Sequence, residues 1–342
     1  MLFYLLFCSL FIYTCSLQPF TSRTDIYPNS EFEHKVTIIS GHWKLEHSKH
    51  AMNEYSRWWK HILGINAPMV FYSNDQDIVN TVSKIRHPIK KPTSYIYRDT
   101  REEMYPLFPE YKDHWASHDV PGKDVGIIWL NKIFMIKDAI ATNTFETDWF
   151  VWCDAGNAWY RKPPSVGPQI WPHPDATSNL PMDKFIYTSS WLPFKYHSVA
   201  GTAFMYHSDV APVIEDYFME AWSDCVSACK WKRDCALCGS DQILLSMIKK
   251  KHPELFFQAG YGYGNLIEYM FEQCQLQYNI TVGTDICIKE NHIRQTKSDL
   301  CNKNPNNLSF DEYKLYDKIP RPYDRNSKSC IAEWKKYDET DE

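Results

Sequence analysis

From Val36 onward the chain alternates short apolar runs with amphipathic stretches. Val36-Thr-Ile-Ile-Ser40, closed by Gly41, reads as a buried strand. Residues 48–63 place Met52, Tyr55, Trp59, Ile62 and Leu63 at three- to four-residue spacing, which predicts a helix opened by Ser48 and ended by Gly64. Pro68 to Ser73 is a second strand followed by the turn pair Asn74-Asp75, residues 77–85 a second helix, and Ser94 to Arg98 a third strand. That order of strand, helix, strand, helix, strand is the rhythm of a parallel α/β sheet. Residues 100–125, interrupted by Pro106, Pro109 and Pro121, suit an irregular segment or a short pair of helices. Helical spacing resumes from Trp129 to Ala141. Asp148-Trp-Phe-Val-Trp-Cys153 is then a nearly continuous apolar run of the kind buried on both faces of a sheet. Phe185–Trp191 and Gly201–Tyr206 predict two more strands, and Val210–Trp222 and Asp241–Lys250 two more helices.

The two ends differ from this middle. Leu2 to Leu17 is apolar but shorter than the roughly 20 residues a spanning helix needs, so it reads as a secretory signal cut after Ser16. Retention as a signal-anchor is the alternative, and only then is a membrane a partner. Residues 18–34 read as a polar linker and 35–270 as the folded domain. Residues 271–342 read as a disulfide-rich extension. Eight cysteines, Cys225, Cys229, Cys235, Cys238, Cys274, Cys287, Cys301 and Cys330, fall in the last third, an even set that fits an oxidising compartment. Four of them within residues 225–238 could also hold zinc, but their spacing departs from paired knuckles and favours disulfides bracing the loop before Asp241. Cys153, inside an apolar strand, reads as a buried thiol. Asn279-Ile-Thr and Asn307-Leu-Ser are glycosylation sequons in a secretory lumen. With 37 basic and 42 acidic residues scattered along the chain and a formal charge of −5, no basic block exists to track a phosphate backbone, which excludes nucleic acid as a partner.

In open α/β sheets ligands bind beyond the carboxyl ends of the strands, so Ser40, Asn74 and Asp154 are the strand-end residues facing a ligand. Asp154 ends a hydrophobic strand and needs a partner. Manganese or magnesium bridging to a diphosphate would supply one, and capping a turn or pairing with Arg161 is the plainer alternative. Gly156 lets a ligand approach the backbone closely. Ala200-Gly201-Thr202 offers a small-residue platform beside a sugar, or Gly201 is an ordinary turn glycine. Asp241 opens a helix, where a carboxylate is also a natural cap. His47 and His50 read as surface residues.

The strings Val36-Thr-Ile-Ile, Asn53-Glu-Tyr-Ser-Arg-Trp-Trp, Trp129-Leu-Asn131-Lys132, Trp149-Phe-Val-Trp-Cys-Asp-Ala-Gly156 and Ser240-Asp-Gln242-Ile-Leu-Leu resemble the HtrL/YibB group of glycosyltransferases over about residues 35–260. The resemblance implies a GT-A-like Rossmann-type α/β sandwich with a mostly parallel central sheet, and transfer of a sugar from a nucleotide-sugar donor to a glycan or glycoconjugate acceptor. The N-terminal apolar run and the even cysteine set point to the ER or Golgi lumen, or secretion. The resemblance also implies that Asn131 and Gln242 contact the donor. Asp241 would be a general base toward the acceptor hydroxyl or a hydrogen-bond partner of the donor. The usual Asp-any-Asp pair of the GT-A class stands here as Asp154-Ala155-Gly156. One carboxylate is therefore left for Mn2+ or Mg2+, to be joined by diphosphate, water, His207 or His292. Otherwise Lys132 and Arg86 take the phosphates without a metal. A carbohydrate-binding protein that keeps this scaffold without turnover is the competing expectation.

Overall fold

The computed structural model describes residues 20–27, 35–46, 48, 50–111, 122–157, 171–172, 177, 180–189, 198–228, 236–261 and 266–270. In chain order the strands are β1 (Arg23–Asp25), β2 (Val36–Gly41), β3 (Met69–Ser73), β4 (Thr93–Tyr97), β5 (Trp149–Cys153), β6 (Phe185–Ser189), β7 (Ala203–His207) and β8 (Phe256–Tyr261). The helices are α1 (Met52–Ile62), α2 (Gln76–Arg86), α3 (Lys123–Thr142), α4 (Ala211–Ala228), α5 (Asp241–Lys251) and the short α6 (Leu266–Tyr269). The protein is α/β, with one eight-stranded sheet in the order β1-β4-β3-β2-β5-β7-β6-β8. The sheet is mixed. Strands β4, β3, β2 and β5 run parallel, β6 and β8 are parallel to each other, and β1–β4, β5–β7 and β6–β7 pair antiparallel.

Alternation along the central strands sorts side chains between two cores. Trp149, Val151 and Cys153 of β5 face one side with Trp59, Ile62, Val79 and Val82 of α1 and α2. Phe150 and Trp152 face the other with Ile133, Met135 and Ile136 of α3, and with Phe218 of α4 and Leu244 and Leu245 of α5. Helices on both faces explain why β5 reads as a continuous apolar run. Helix α3 ends where Asn143 adopts a left-handed conformation, φ 36°, and returns its N–H to the Ala139 carbonyl. Helix α1 begins four residues later than Ser48 suggests, because Glu54 reaches back to the Ala51 N–H at 3.1 Å and fixes the start there.

The supposed linker contains β1, whose three residues pair with Thr93–Tyr95 at the sheet edge. A three-residue polar strand carries no apolar alternation to read, and its place is set by backbone pairing alone. Strand β8 was likewise not legible beforehand. Within the predicted 100–125 segment Thr100–Met104 forms a π turn and Tyr105–Leu107 a 3-10 turn, 112–121 lie outside the described residues, and α3 already begins at Lys123, ahead of the expected Trp129. Among the described residues Cys225 and Cys238 form a disulfide and Cys153 is a buried free thiol. The N-terminal segment, Cys229, Cys235, Arg161, the sequons, His292 and the extension 271–342 lie outside the described residues. No helix among the described residues is long and apolar enough to cross a membrane.

Candidate functional site

The chain leaves β2 for β3 and β4 on one side and returns to β5 on the other. The strand order therefore reverses between β2 and β5, and a crevice opens at their carboxyl ends. A cavity of about 130 Å³ lies there, lined by Gly41 at the end of β2, by Asp154, Ala155 and Gly156 beyond β5, by Trp129 and Lys132 of α3, and by Thr202. A second cavity of about 630 Å³ adjoins it between the 42–51 loop and the starts of α1 and α2. His42, Trp43, Leu45, Ser48, His50 and Tyr55 border both.

Lys132 organises the floor. Its ammonium stands 2.9 Å from Asp154 Oδ1 and 2.9 Å from Asp241 Oδ2, and it donates to the Gly201 carbonyl at 2.9 Å. Trp152, the penultimate residue of β5, donates its indole N–H to the same Asp154 Oδ1 at 2.6 Å. Lys132 is 2% exposed and Asp241 5%, whereas Asp154 is 25% exposed at the cavity. Burial alone would lower the Lys132 pKa, but Asp154 and then Asp241 outweigh it, so the ammonium is held above its ordinary range. Burial pushes Asp241 up to about 6, with Asp154 adding to the rise and Lys132 opposing it.

The surrounding backbone is built to hold this cluster. Asp154 N–H donates to the Thr202 carbonyl at 2.9 Å, tying the β5 end to the loop before β7. Gly201 N–H donates to Gln242 Oε1 at 3.4 Å, and Val199 N–H to Ser246 Oγ at 3.2 Å, which docks that loop on the first turns of α5. A Cβ at Gly201 would sit 2.7 Å from Asp241 Oδ2, so glycine is required for the carboxylate to lie against the backbone. A Cβ at Gly156 would meet the Tyr55 ring at 2.6 Å, so the α1 aromatic roofs the Asp-Ala-Gly turn. His42 lies against Tyr55 and Trp59, ring centroids 4.3 and 5.1 Å apart, and burial pulls its imidazole down to about 4.

The fold thus brings together Lys132, Asp154, Gly156, Gly201, Asp241 and Gln242. Four of the expected donor contacts are elsewhere and require correction. Arg86 is fully buried and gives its guanidinium to the Leu63, Ile65, Ala67 and Pro92 carbonyls and to Thr93 Oγ1, so it braces the α1–β3 connection instead of meeting phosphate. Asn131 is buried on α3 with its amide on the Ile127 and Met104 carbonyls. Asn74 clamps the Lys44 backbone through both ends of its amide. Ser40 is buried and borders neither cavity. His207 sits at the far end of β7, opposite Trp149, and pairs with Asp209 at 3.2 Å, so it is remote from Asp154. Asp241 borders neither cavity and faces the Lys132 ammonium at 2.9 Å.

The cavity walls Tyr55, Trp129, Trp152 and His42 were not singled out as ligand contacts, and His50, read as a surface residue, borders both cavities against Trp58. The dense aromatics of α1 were the available signal, but a core-facing stripe has the same spacing. Asp154 Oδ1 is already committed to Trp152 and Lys132. Among the described residues no group of three His, Cys, Asp or Glu could hold a metal ion. The chain matches no protein-family model and no curated protein.

Proposed function

We propose that this chain is a GT-A-type glycosyltransferase of the HtrL/YibB group, moving a sugar from a nucleotide-sugar donor to a glycan or glycoconjugate acceptor in the secretory lumen. The observation that carries the reading is Asp154, held by Trp152 and Lys132 at the sheet's reversal point with its part-exposed side chain lining a cavity. On this reading the larger cavity, bordered by Tyr55 and His42, takes the donor nucleoside, and the adjoining one, lined by Asp154, takes the diphosphate and sugar. In the reaction the bond from the anomeric carbon to the diphosphate breaks and one to the acceptor oxygen forms, with the hydroxyl proton passing to a base. Asp154 would hold Mn2+ or Mg2+, which would supply charge neutralisation of the leaving group. The chain's own part is to fix Asp154 through Lys132 and Asp241, and to offer aromatic walls to the sugar.

A ligand that binds only the folded state stabilises it by about 2.7 kcal/mol at a hundredfold excess over its Kd. A screen of nucleotide sugars for thermal stabilisation, with and without manganese, is expected to give a shift in the wild type that Asp154→Ala loses. If no nucleotide sugar or nucleoside diphosphate stabilises the wild type, the reading fails. The burial of Asp241 favours one second reading, a carbohydrate-binding protein without turnover, which predicts glycan binding with no donor hydrolysis.

A further inference from the structure

We propose that the larger cavity selects guanine, so that the donor is a guanosine-diphosphate sugar, and that Asp77 reads the base. The inference rests on the nucleotide-sugar reading of the two cavities and goes on to name the base. Among the described residues, Glu46, Glu54, Asp75 and Asp77 line that cavity, with Lys44 as the one lysine against them. A lining of that charge repels phosphate and suits the uncharged end of a donor. Its volume of about 630 Å³ falls among those of cavities that enclose small ligands.

Two of these acids are already occupied. Asp75 caps α2 through Oδ1, which accepts from the Asp77 and Ile78 N–H groups at 2.9 and 3.0 Å, and it faces Lys44 through Oδ2 at 3.3 Å. Glu54 accepts from the Ala51 N–H and faces His50. The Asp77 carboxylate has neither a hydrogen bond nor an ion pair among the described residues. Its backbone is nevertheless fixed, because Asp75 holds its N–H and its carbonyl accepts from the Thr81 hydroxyl at 2.8 Å. His42 borders the same cavity with no hydrogen bond on its ring among the described residues, and burial keeps the imidazole neutral above about pH 4.

An ionised carboxylate can only accept. Guanine alone among the common bases sets two donors side by side, N1–H and the 2-amino group, which one carboxylate accepts together. Uracil flanks its single N–H with two carbonyls, and adenine and cytosine set a ring-nitrogen acceptor beside their amino group. Each of these would bring a lone pair against Asp77. No asparagine or glutamine side chain lines the cavity among the described residues to satisfy such an edge. The neutral His42 ring has one N–H to offer the guanine carbonyl, and Tyr55 supplies an aromatic wall.

The test is equilibrium dialysis of the full chain at neutral pH against guanosine, inosine, uridine, adenosine and cytidine diphosphates, under the conditions of the nucleotide-sugar screen. Inosine diphosphate differs from the guanosine compound only in lacking the 2-amino group. The wild type is expected to hold guanosine diphosphate at least about tenfold more tightly than the uridine, adenosine and cytidine compounds, and at least about fivefold more tightly than inosine diphosphate. Asp77→Ala should bring guanosine and inosine diphosphates to within about twofold of each other, whereas Glu46→Gln should keep their ratio. Equal binding of those two by the wild type, or a preference for another base, overturns the proposal, and an unchanged ratio in a folded Asp77→Ala overturns the assignment of Asp77. The wild-type arms decide the base should a variant not fold. If no nucleoside diphosphate binds, the transferase reading falls with it; binding without a preference for guanine removes this inference alone.

Discussion

A single methyl group at Gly201 tests whether the carboxylate clamp is as tight as its geometry implies. An added Cβ lies 2.7 Å from Asp241 Oδ2, 2.9 Å from Oδ1 and 3.0 Å from Cγ. All three distances are well inside contact, so the Asp241 carboxylate must recede by several tenths of an ångström. It cannot do so freely, since it is the first residue of α5 and its oxygen is bound to the Lys132 ammonium, which the Gly201 carbonyl also holds. Overpacking of this kind costs about 1–3 kcal/mol, and complete loss of a buried charge partner about 3–5. Partial displacement places Gly201→Ala at about 2–3 kcal/mol of lost stability. Urea unfolding of a double-mutant cycle isolates the contact. In an Asp241→Ala background the methyl no longer meets a carboxylate and should cost less than about 1 kcal/mol, a coupling of about 1 kcal/mol or more. A Gly201→Ala protein within about 0.5 kcal/mol of the wild type, or an equal loss in both backgrounds, would refute the clamp.

Two further outcomes follow from the same interactions. Arg86→Met strands four buried backbone carbonyls and Thr93 Oγ1, and should lower stability by about 3–5 kcal/mol while leaving any nucleotide-sugar stabilisation of the folded protein unchanged; loss of the ligand response in a folded variant would restore Arg86 to the site. Because Asp241 is held up to about 6 in the folded state, the stability it contributes is complete below the ordinary carboxylate range and lost as pH rises toward 6. The wild type should therefore lose stability relative to Asp241→Asn between about pH 4 and 6, measured as urea midpoints, and a difference that stays flat across that window contradicts the burial argument.

The legible parts of the sequence were those in which one residue type serves one local requirement. The apolar run ending in Asp154, the spacing of α1 and the Asp-Gln start of α5 each follow from burial or from a helix end, so strands, helices and the strand-end acid could be read in order. The α/β class followed from that order, but the antiparallel insertion of β7 between β5 and β6 did not, because pairing direction is set by how distant segments meet. Arg86 illustrates the limit most plainly. A lone arginine near strand ends has the chemistry of a phosphate contact, and only the convergence of carbonyls from Leu63, Ile65, Ala67 and Pro92 turns it inward. Lys132, Gly201 and Asp241 were each visible as candidates, yet 69 residues separate the lysine from the carbonyl it holds. The sequence by itself determined which residues could carry charge at the end of β5. The tertiary structure decided that the lysine would be spent on two aspartates, since burying an ammonium requires partners that only the packed α3, α5 and β5–β7 elements bring within reach.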